Sequence, residues 1–240
     1  MSLVIRALAN AFRDLIRLKI AWIIIWPVLI ATFFWLLIGY MFGDAFAQLT
    51  QQALGEWLQN VEPNWVATSL QSLLHVMMLV LLIIVTTLLI TAIFVMPALI
   101  NLVAKRNYPE LERMHGGDVI GSVINALLAS GIFILIWIVT LPLWTLGAGL
   151  LVPFAAVAFM NQQLFRYDAL SEHASKQEIK TICAENRYSL WSLGLLTGFV
   201  QFVPILNFLA PIFTALAFIH FGLEHLKRLR SGNEQNSIAE

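Results

Sequence analysis

Residues 188–223 read YSLWSLGLLTGFVQFVPILNFLAPIFTALAFIHFGL, a stretch of 36 residues without a single Asp, Glu, Lys or Arg. Pro204, Asn207 and Pro211 interrupt it near its middle and leave about 16 residues before the break and 13 after it. A helix needs about 20 apolar residues to cross a bilayer. Each half is too short for a full span, and the whole is too long for one. The stretch therefore predicts a re-entrant hairpin whose tip turns inside the membrane.

The tip of such a hairpin carries backbone groups that a continuous helix would have paired. They are tolerated inside a membrane only where the backbone is buried in protein or lines a wet cavity. A helix that restarts after a break also begins with free N–H groups, which attract anions. Gln201 and Asn207 are therefore the hairpin-tip candidates for a functional site. Hydrogen bonding between helices is the plainer alternative for both.

Three further uncharged stretches place most of the chain in the membrane. Residues 20–43 predict one span of about 36 Å, against a hydrocarbon core of about 30 Å. Residues 73–104 predict a long second span, which we expect to kink at Pro97 and to project into the cytoplasm. Residues 119–165 are interrupted by Pro and Gly near their middle and predict a first hairpin. Its 47 residues allow either a re-entrant hairpin or two full spans.

The composition indicates the same class of protein. Of the 240 residues 60% are apolar and 12% are charged, whereas a soluble domain averages roughly 45–50% apolar and about 25% charged residues. Fourteen Lys and Arg balance fourteen Asp and Glu, so no basic surface indicates a nucleic-acid partner. The fold class that follows is an all-α integral membrane protein with two long transmembrane helices, two Pro/Gly-broken hairpins and amphipathic interfacial helices.

The predicted layout is a single α-helical membrane domain, residues 1–230, followed by a polar, disordered tail, residues 231–240. Its segments are a cytoplasmic interfacial helix (1–19), span 1 (20–43), an external segment (44–70), long span 2 (73–104), hairpin 1 (119–165), a cytoplasmic segment (166–187) and hairpin 2 (188–223).

The first of these segments has an amphipathic pattern. Basic and amide side chains recur at helical spacing, and apolar side chains occupy the opposite side; the two sets are Arg6, Asn10, Arg13 and Arg17, and Leu8, Phe12, Leu15 and Ile16. We expect this helix to lie on the cytoplasmic surface of the bilayer, where anionic headgroups hold it.

The basic residues predict the orientation of the chain. All fourteen fall in four segments, namely residues 1–19, 105–113, 166–187 and 227–230. By the positive-inside rule these segments are cytoplasmic, and so are both termini. Both hairpins then enter from the cytoplasmic side and return to it, and the lipid bilayer is the first partner of the chain.

Catalytic and energy-coupling motifs are absent from the sequence. No G-x-x-x-x-G-K-[ST] loop is present, so the chain itself has no ATP-binding loop of that type. His220, Glu224 and His225 resemble a zinc-peptidase helix, but their spacing fits neither H-x-x-E-H nor H-E-x-x-H. No nucleophile and base pair or carboxylate dyad is visible. We therefore predict no enzyme, no metal site and no cofactor.

The last hairpin also carries a resemblance. Gly194, Gly198, the Pro204-Ile-Leu-Asn207 segment and Pro211 before an Ala/Phe-rich helix are similar to the closing hairpin of the etoposide-induced-protein family, whose bacterial members include the CysZ sulfate permeases. The similarity extends over most of the chain, through Trp26-Pro27, Met96-Pro97-Ala98 with Asn101-Leu-Val-Ala-Lys105, and Phe165-Arg-Tyr-Asp168. The resemblance implies an oligomeric protein of the bacterial inner membrane, with two long helices and two hemi-penetrating hairpins.

The resemblance further implies a conduit that admits sulfate, with an anion site that departs from the family pattern here. CysZ permeases resemble one another in a Gly-Leu-Leu-Ala-Glu motif after the proline of the long helix and in an arginine pair before the first span. This chain has Asn101-Leu102-Val103-Ala104-Lys105 at the first place and Ala21-Trp22 at the second. Arg17 and Lys19 lie about one helical turn earlier, and Lys105 adds positive charge where a carboxylate is expected. The candidate anion-binding residues are Arg17, Lys19, Asn101, Leu102 and Lys105.

Two functions follow as hypotheses. The first is a permease or channel-like protein for a small oxyanion of the sulfate type, working as a homo-oligomer without ATP hydrolysis. The second is a non-transporting scaffold, assembly or envelope-maintenance protein, because none of the four spanning stretches contains a charged residue.

Overall fold

A computed structural model describes residues 2–59, 64–117, 119–144, 151–204 and 206–239. The described residues contain helices and no strand, which confirms the all-α fold class. The helices are α1 (Ser2–Leu15), α2 (Leu18–Gln59), α3 (Asn64–Ile90), α4 (Met96–Asn107), α5 (Val119–Trp144), α6 (Leu151–Ser171), α7 (Lys176–Glu185), α8 (Arg187–Val200) and α9 (Ala210–Ala239), with a π-helical segment, Thr91–Val95, and a 3₁₀ turn, Leu206–Phe208.

The chain packs as two units. We call residues Met1–Ile20 and Met96–Glu240 the core unit, and residues Ala21–Val95 the two-helix unit. The two-helix unit consists of long apolar helices, few of whose side chains are buried. In the core unit the other helices pack around α9.

Three helices among the described residues have the length and hydropathy needed to cross a bilayer, namely Leu18–Ala45, Trp65–Thr87 and Ile120–Thr140. The first two correspond to the predicted long spans, although the second begins at Trp65 rather than near residue 73. The third is the first arm of hairpin 1. The predicted external segment, residues 44–70, is largely helical, because α2 continues past non-helical backbone at Phe42 as far as Gln59.

Antiparallel packing joins α2 and α3 within the two-helix unit. The Trp35 indole N–H donates to the Thr86 hydroxyl over 2.7 Å, and the Trp26 and Phe94 rings meet edge to face with their centroids 6.1 Å apart. Many of the large apolar side chains of both helices are exposed, and none of the most apolar window of α3 is buried. Such a surface requires a hydrocarbon environment, which agrees with a membrane protein.

The sequence predicts a kink at Pro97, and the helix becomes irregular about one turn before it, at Thr91–Val95. Proline lacks the N–H that would bond to the carbonyl four residues before it, and its ring crowds that carbonyl. The helix accommodates this by widening into the π-helical segment Thr91–Val95, and α4 starts directly afterwards at Met96. In α4, Leu99, Ile100, Val103 and Ala104 are buried in the core unit.

Hairpin 2 contributes the centre of the core unit. The sequence predicts residues 211–223 to be the second arm of a re-entrant hairpin, and Ile212–Leu223 of α9 are buried by the surrounding helices. This burial in protein accounts for the uncharged pattern of the segment. An apolar run that is buried on all sides looks the same in sequence as one that faces lipid.

The predicted break in residues 188–223 lies between α8 and α9. α8 has 14 residues and is about 21 Å long, so it falls well short of the hydrocarbon thickness. The tip residues Phe202, Val203 and Leu206 are exposed rather than buried in protein. Tight local hydrogen bonds pair the tip backbone instead, including Val203 N–H to Val200 carbonyl and Asn207 N–H to Val203 carbonyl.

Hairpin 1 has α5 and α6 as its arms; its tip, with Gly147 and Gly149, lies outside the described residues. The Asn125 amide on α5 and the Gln163 side chain and carbonyl on α6 exchange two hydrogen bonds of 2.9 and 3.1 Å. α6 also packs closely on α8, because Gly194 lets α8 approach the α6 backbone at Ala158. The two hairpins therefore form one packed body.

The amphipathic helix α1 packs on α9 through one face and exposes apolar side chains on another. Val4, Ala7 and Ala11 are buried against α9, whereas Phe12 and Ile16 of the predicted apolar face are 60% and 71% exposed. The buried side chains are small, so α1 can approach α9 closely. The larger apolar side chains point away from the core unit.

Arg230 joins three segments of the core unit. Its guanidinium binds the Glu178 carboxylate over 2.8 Å and donates to the carbonyls of Glu112 and His173 over 3.1 and 2.7 Å. Ser175 and Glu178 form a capping box that starts α7. Residues 231–239, predicted to be a disordered tail, continue α9 as helix, since extending an existing helix costs far less than starting one.

We expect Arg230→Gln to lower the free energy of unfolding by about 2 kcal/mol at neutral pH, or about 4–8 °C in melting temperature. The matched control is Arg228→Gln, whose pair with Glu224 is more exposed and should contribute little.

The Arg230 hydrogen bond is the largest cause of the lowered pKa of Glu178. Because the pKa of Glu178 is lower in the folded protein than its ordinary value of 4.5, its ion pair stabilises the folded state at pH values above 4.5. This stabilisation is lost as the pH falls through the folded pKa. The difference in stability between wild type and Arg230→Gln should therefore shrink below about pH 4.5. Thermal melts at a series of pH values measure it, and a difference that grows below pH 4.5 would contradict the prediction.

Candidate anion-binding site

A cleft of about 700 Å³ opens in the core unit where the end of α1 and the start of α2 face α4. This volume lies in the range of sites for small molecules. The residues that line it are Asp14, Arg17, Leu18, Lys19, Ile20, Leu102, Lys105 and Arg106. Four of the five predicted anion-binding residues, Arg17, Lys19, Leu102 and Lys105, are thus brought together.

The backbone turn between α1 and α2 orients one wall of the cleft. Arg17 N–H donates to the Asp14 carbonyl over 2.9 Å, and Ile20 N–H donates to the Arg17 carbonyl over 3.0 Å. Ile20 is buried, which anchors the start of α2 and leaves Lys19 exposed beside it. The turn therefore presents Arg17 and Lys19 to the cleft.

Helical periodicity orients the other wall. In α4 the buried face is Leu99, Ile100, Val103 and Ala104, which repeats at the spacing of one helix face. Lys105 and Arg106 fall beyond that face and are exposed. The cations of α4 are therefore held on the outside of a helix whose other side is fixed in the core unit.

The charge in the cleft favours an anion. Four cationic side chains and one carboxylate line it, a net charge of +3. Within the described part of the chain, Lys19, Lys105 and Arg106 form no ion pair, so their charges are available to a ligand. A concave site of one sign of charge raises the local concentration of ions of the opposite sign.

Arg17 is paired with Asp14. The guanidinium NH1 lies 2.8 Å from Asp14 Oδ1, and the buried His220 ring donates from Nε2 to Asp14 Oδ2 over 3.0 Å. The Tyr108 hydroxyl donates to the His220 carbonyl over 3.3 Å. Burial, with nearby carboxylates adding to it, raises the pKa of Tyr108 to about 12, so this hydroxyl stays protonated as a donor.

The remaining predicted residues lie elsewhere. Asn101 does not line the cleft; its side-chain oxygen accepts a hydrogen bond from Arg113. Gln201 donates to Asn161 on α6 over 3.3 Å, which fits the plainer alternative of bonding between helices. Asn207 is exposed at the hairpin tip. The structure does not bring these three residues together with the cleft.

The site residues predicted from the sequence do not include Asp14, Arg106 or His220. Asp14 follows Val4, Ala7 and Ala11 at spacings of three and four residues, so the pattern for the buried face of α1 was present in the sequence. His220 was considered only as part of a zinc-like motif. Among the described residues no group of three or more His, Cys, Asp or Glu side chains is placed to hold a metal ion.

Comparison with known protein families finds a match over most of the chain. The model of the family described as "Sulfate transporter CysZ/Etoposide-induced protein 2.4" matches residues 7–211, which is most of the chain. No curated protein and no solved structure matches the chain.

Proposed function

The chain belongs to the family of the sulfate transporter CysZ and etoposide-induced protein 2.4, and on this premise we propose that it is a permease or channel-like protein for a small oxyanion of the sulfate type. The observation that carries the proposal is the cleft in the core unit, where Arg17, Lys19, Lys105 and Arg106 surround a space large enough for such an ion. The chain carries no ATP-binding loop of the Walker type, so the anion moves down its own gradient or with a partner.

The altered family motif is consistent with this proposal. Where CysZ permeases are expected to have a Glu, this chain has Lys105, and the structure places Lys105 in the same cleft as Arg17 and Lys19. The cleft is therefore cationic, although Ala21-Trp22 stands where the CysZ permeases are similar in having an arginine pair. A doubly charged oxyanion is attracted more strongly than a singly charged one by such a site.

The test is equilibrium binding of radiolabelled sulfate to the purified protein in detergent, with competition by other inorganic oxyanions. The permease proposal expects saturable binding that weakens steeply with added salt, since the contacts are between exposed charges. The alternative function, a non-transporting scaffold or envelope-maintenance protein, expects no saturable binding. Homo-oligomers, which the family implies, are visible in the same preparation by light scattering.

We further propose that the chain lies in the bacterial inner membrane with both termini in the cytoplasm. The basic residues support this, since they are confined to segments that would share the cytoplasmic side. The cleft would then open on the cytoplasmic side, because it is lined from residues 14–20 and 102–106.

Labelling of a single cysteine tests this orientation and the re-entrant course of hairpin 2. In a Cys183→Ser background, Asn207→Cys places a thiol at the exposed tip between α8 and α9. We expect a membrane-impermeant maleimide added outside intact cells to leave this thiol unlabelled, because α8, at about 21 Å, cannot reach the far surface. Asp44→Cys, in the predicted external segment, is the positive control. Labelling of both thiols from outside would contradict the re-entrant course.

A further inference from the structure

Asp14 is an unusual residue in a site for anions. It is the one carboxylate among the residues that line the cleft, and it is only 4% exposed. A buried carboxylate beside an anion site repels the ligand, and burial is costly unless the charge is paired. Its presence therefore calls for a physical reason other than packing.

Both carboxylate oxygens of Asp14 are held. Oδ1 lies 2.8 Å from the Arg17 guanidinium, and Oδ2 accepts from His220 Nε2 over 3.0 Å. His220 is 1% exposed and sits on α9, the most buried helix of the core unit. The Asp14 carboxylate is therefore held on both sides, and Arg17, which lines the cleft, has this carboxylate bound to it.

We propose that Asp14 sets the affinity of the cleft for its oxyanion by offsetting the charge of Arg17. A conduction site must bind its ion firmly enough to admit it and weakly enough to release it. Four cations without a counter-charge would retain a divalent oxyanion, whereas the fixed carboxylate reduces the net charge to +3. This inference rests on the proposed function, because it concerns the same cleft and the same class of ligand.

The direction of the effect distinguishes this role from a structural one. Asp14→Asn keeps the shape of the side chain and removes its charge. We expect the variant to bind sulfate about 5- to 20-fold more tightly than wild type, from the loss of one repulsive charge near a dianion at the effective dielectric of a protein surface. Sulfate should also dissociate correspondingly more slowly. A residue with only a structural role would give equal or weaker binding when removed.

The experiment is radiolabelled sulfate binding and release from detergent-solubilised full-length protein. Asp14→Glu keeps the charge and should retain an affinity close to that of wild type. Glu110→Gln is the matched control, because it removes an exposed carboxylate paired with Lys227 elsewhere in the core unit and should leave the affinity unchanged. Equal or weaker binding by folded Asp14→Asn would overturn the inference.

A second comparison keeps the test decisive if Asp14→Asn does not fold. Arg17→Gln leaves the Asp14 charge without its guanidinium, so we expect sulfate binding weaker than in Lys19→Gln. Lys19→Gln removes the same amount of positive charge from the cleft but leaves Asp14 paired with Arg17. Equal weakening of sulfate binding in Arg17→Gln and Lys19→Gln overturns the inference, while sulfate binding by wild type preserves the proposed function. Absence of binding by wild type and all variants overturns both.

Discussion

Lys105→Glu is expected to weaken sulfate binding by at least about tenfold. Lys105 is exposed on the wall of the cleft formed by α4 and has no ion-pair partner among the described residues. The substitution changes the charge of the cleft by two units, from +3 to +1, and each unit acts on a divalent ligand at short range. Binding of radiolabelled sulfate at low ionic strength measures the loss, which added salt should reduce.

Lys180→Glu provides the matched control for that prediction. Lys180 is also an exposed lysine of the core unit, but it lies on α7 and does not line the cleft. The substitution makes the same change in total charge, so it separates a local effect from a general one. Equal loss of binding in Lys105→Glu and Lys180→Glu would contradict a site at the cleft.

Gly194→Ala is expected to have a large effect on stability. A Cβ atom at Gly194 would lie 2.6 Å from the Ala158 carbonyl oxygen on α6, a backbone atom that cannot move without displacing the helix. The helices α6 and α8 must therefore separate, which should cost about 3 kcal/mol and lower the melting temperature by about 6–12 °C. Exposure of the half-buried Cys183 thiol to a fluorogenic maleimide reports the unfolding during heating.

Two other glycines provide a graded comparison. At Gly198 the nearest atom to an added Cβ would be a side-chain methyl group of Val157 at 3.1 Å, which can shift. At Gly131 nothing lies within 4 Å. We expect Gly198→Ala to cost less than about 1 kcal/mol and Gly131→Ala to be neutral. A melting temperature of Gly194→Ala equal to that of Gly131→Ala would show that α8 does not pack on α6 in this way.

The charge pattern of the sequence predicted the helical fold, the first two spans and the break in the last hairpin. It did so because a long run of uncharged, apolar residues is compatible with few structures other than a helix that crosses the membrane. The same pattern did not show that Ile212–Leu223 of α9 are surrounded by other helices of the core unit. Hydropathy measures transfer out of water and does not distinguish burial in protein from burial in lipid. The packing of Phe218 and Leu223 inside the core unit had to come from the structure.

The site was predicted in the same uneven way. Arg17, Lys19 and Lys105 stood out as cations flanking spans, and the structure places all three around one cleft. Asn101 was carried over from its position in the family motif, yet its side chain is bound by Arg113. Asp14 was missed because its meaning depends on contact with His220, 206 residues away in the sequence. The spacing places Asp14 on the buried face of α1, but it does not show this tertiary partner.

Uptake of radiolabelled sulfate into proteoliposomes tests the central claim most directly. The measurement compares vesicles with wild-type protein, Lys105→Ala, Lys180→Ala and no protein, after protease protection has established the inserted orientation. An oxyanion permease predicts saturable uptake by wild type and Lys180→Ala, and its loss in Lys105→Ala. Uptake by correctly inserted wild-type protein that does not exceed that of empty vesicles would contradict sulfate conduction and favour the scaffold function.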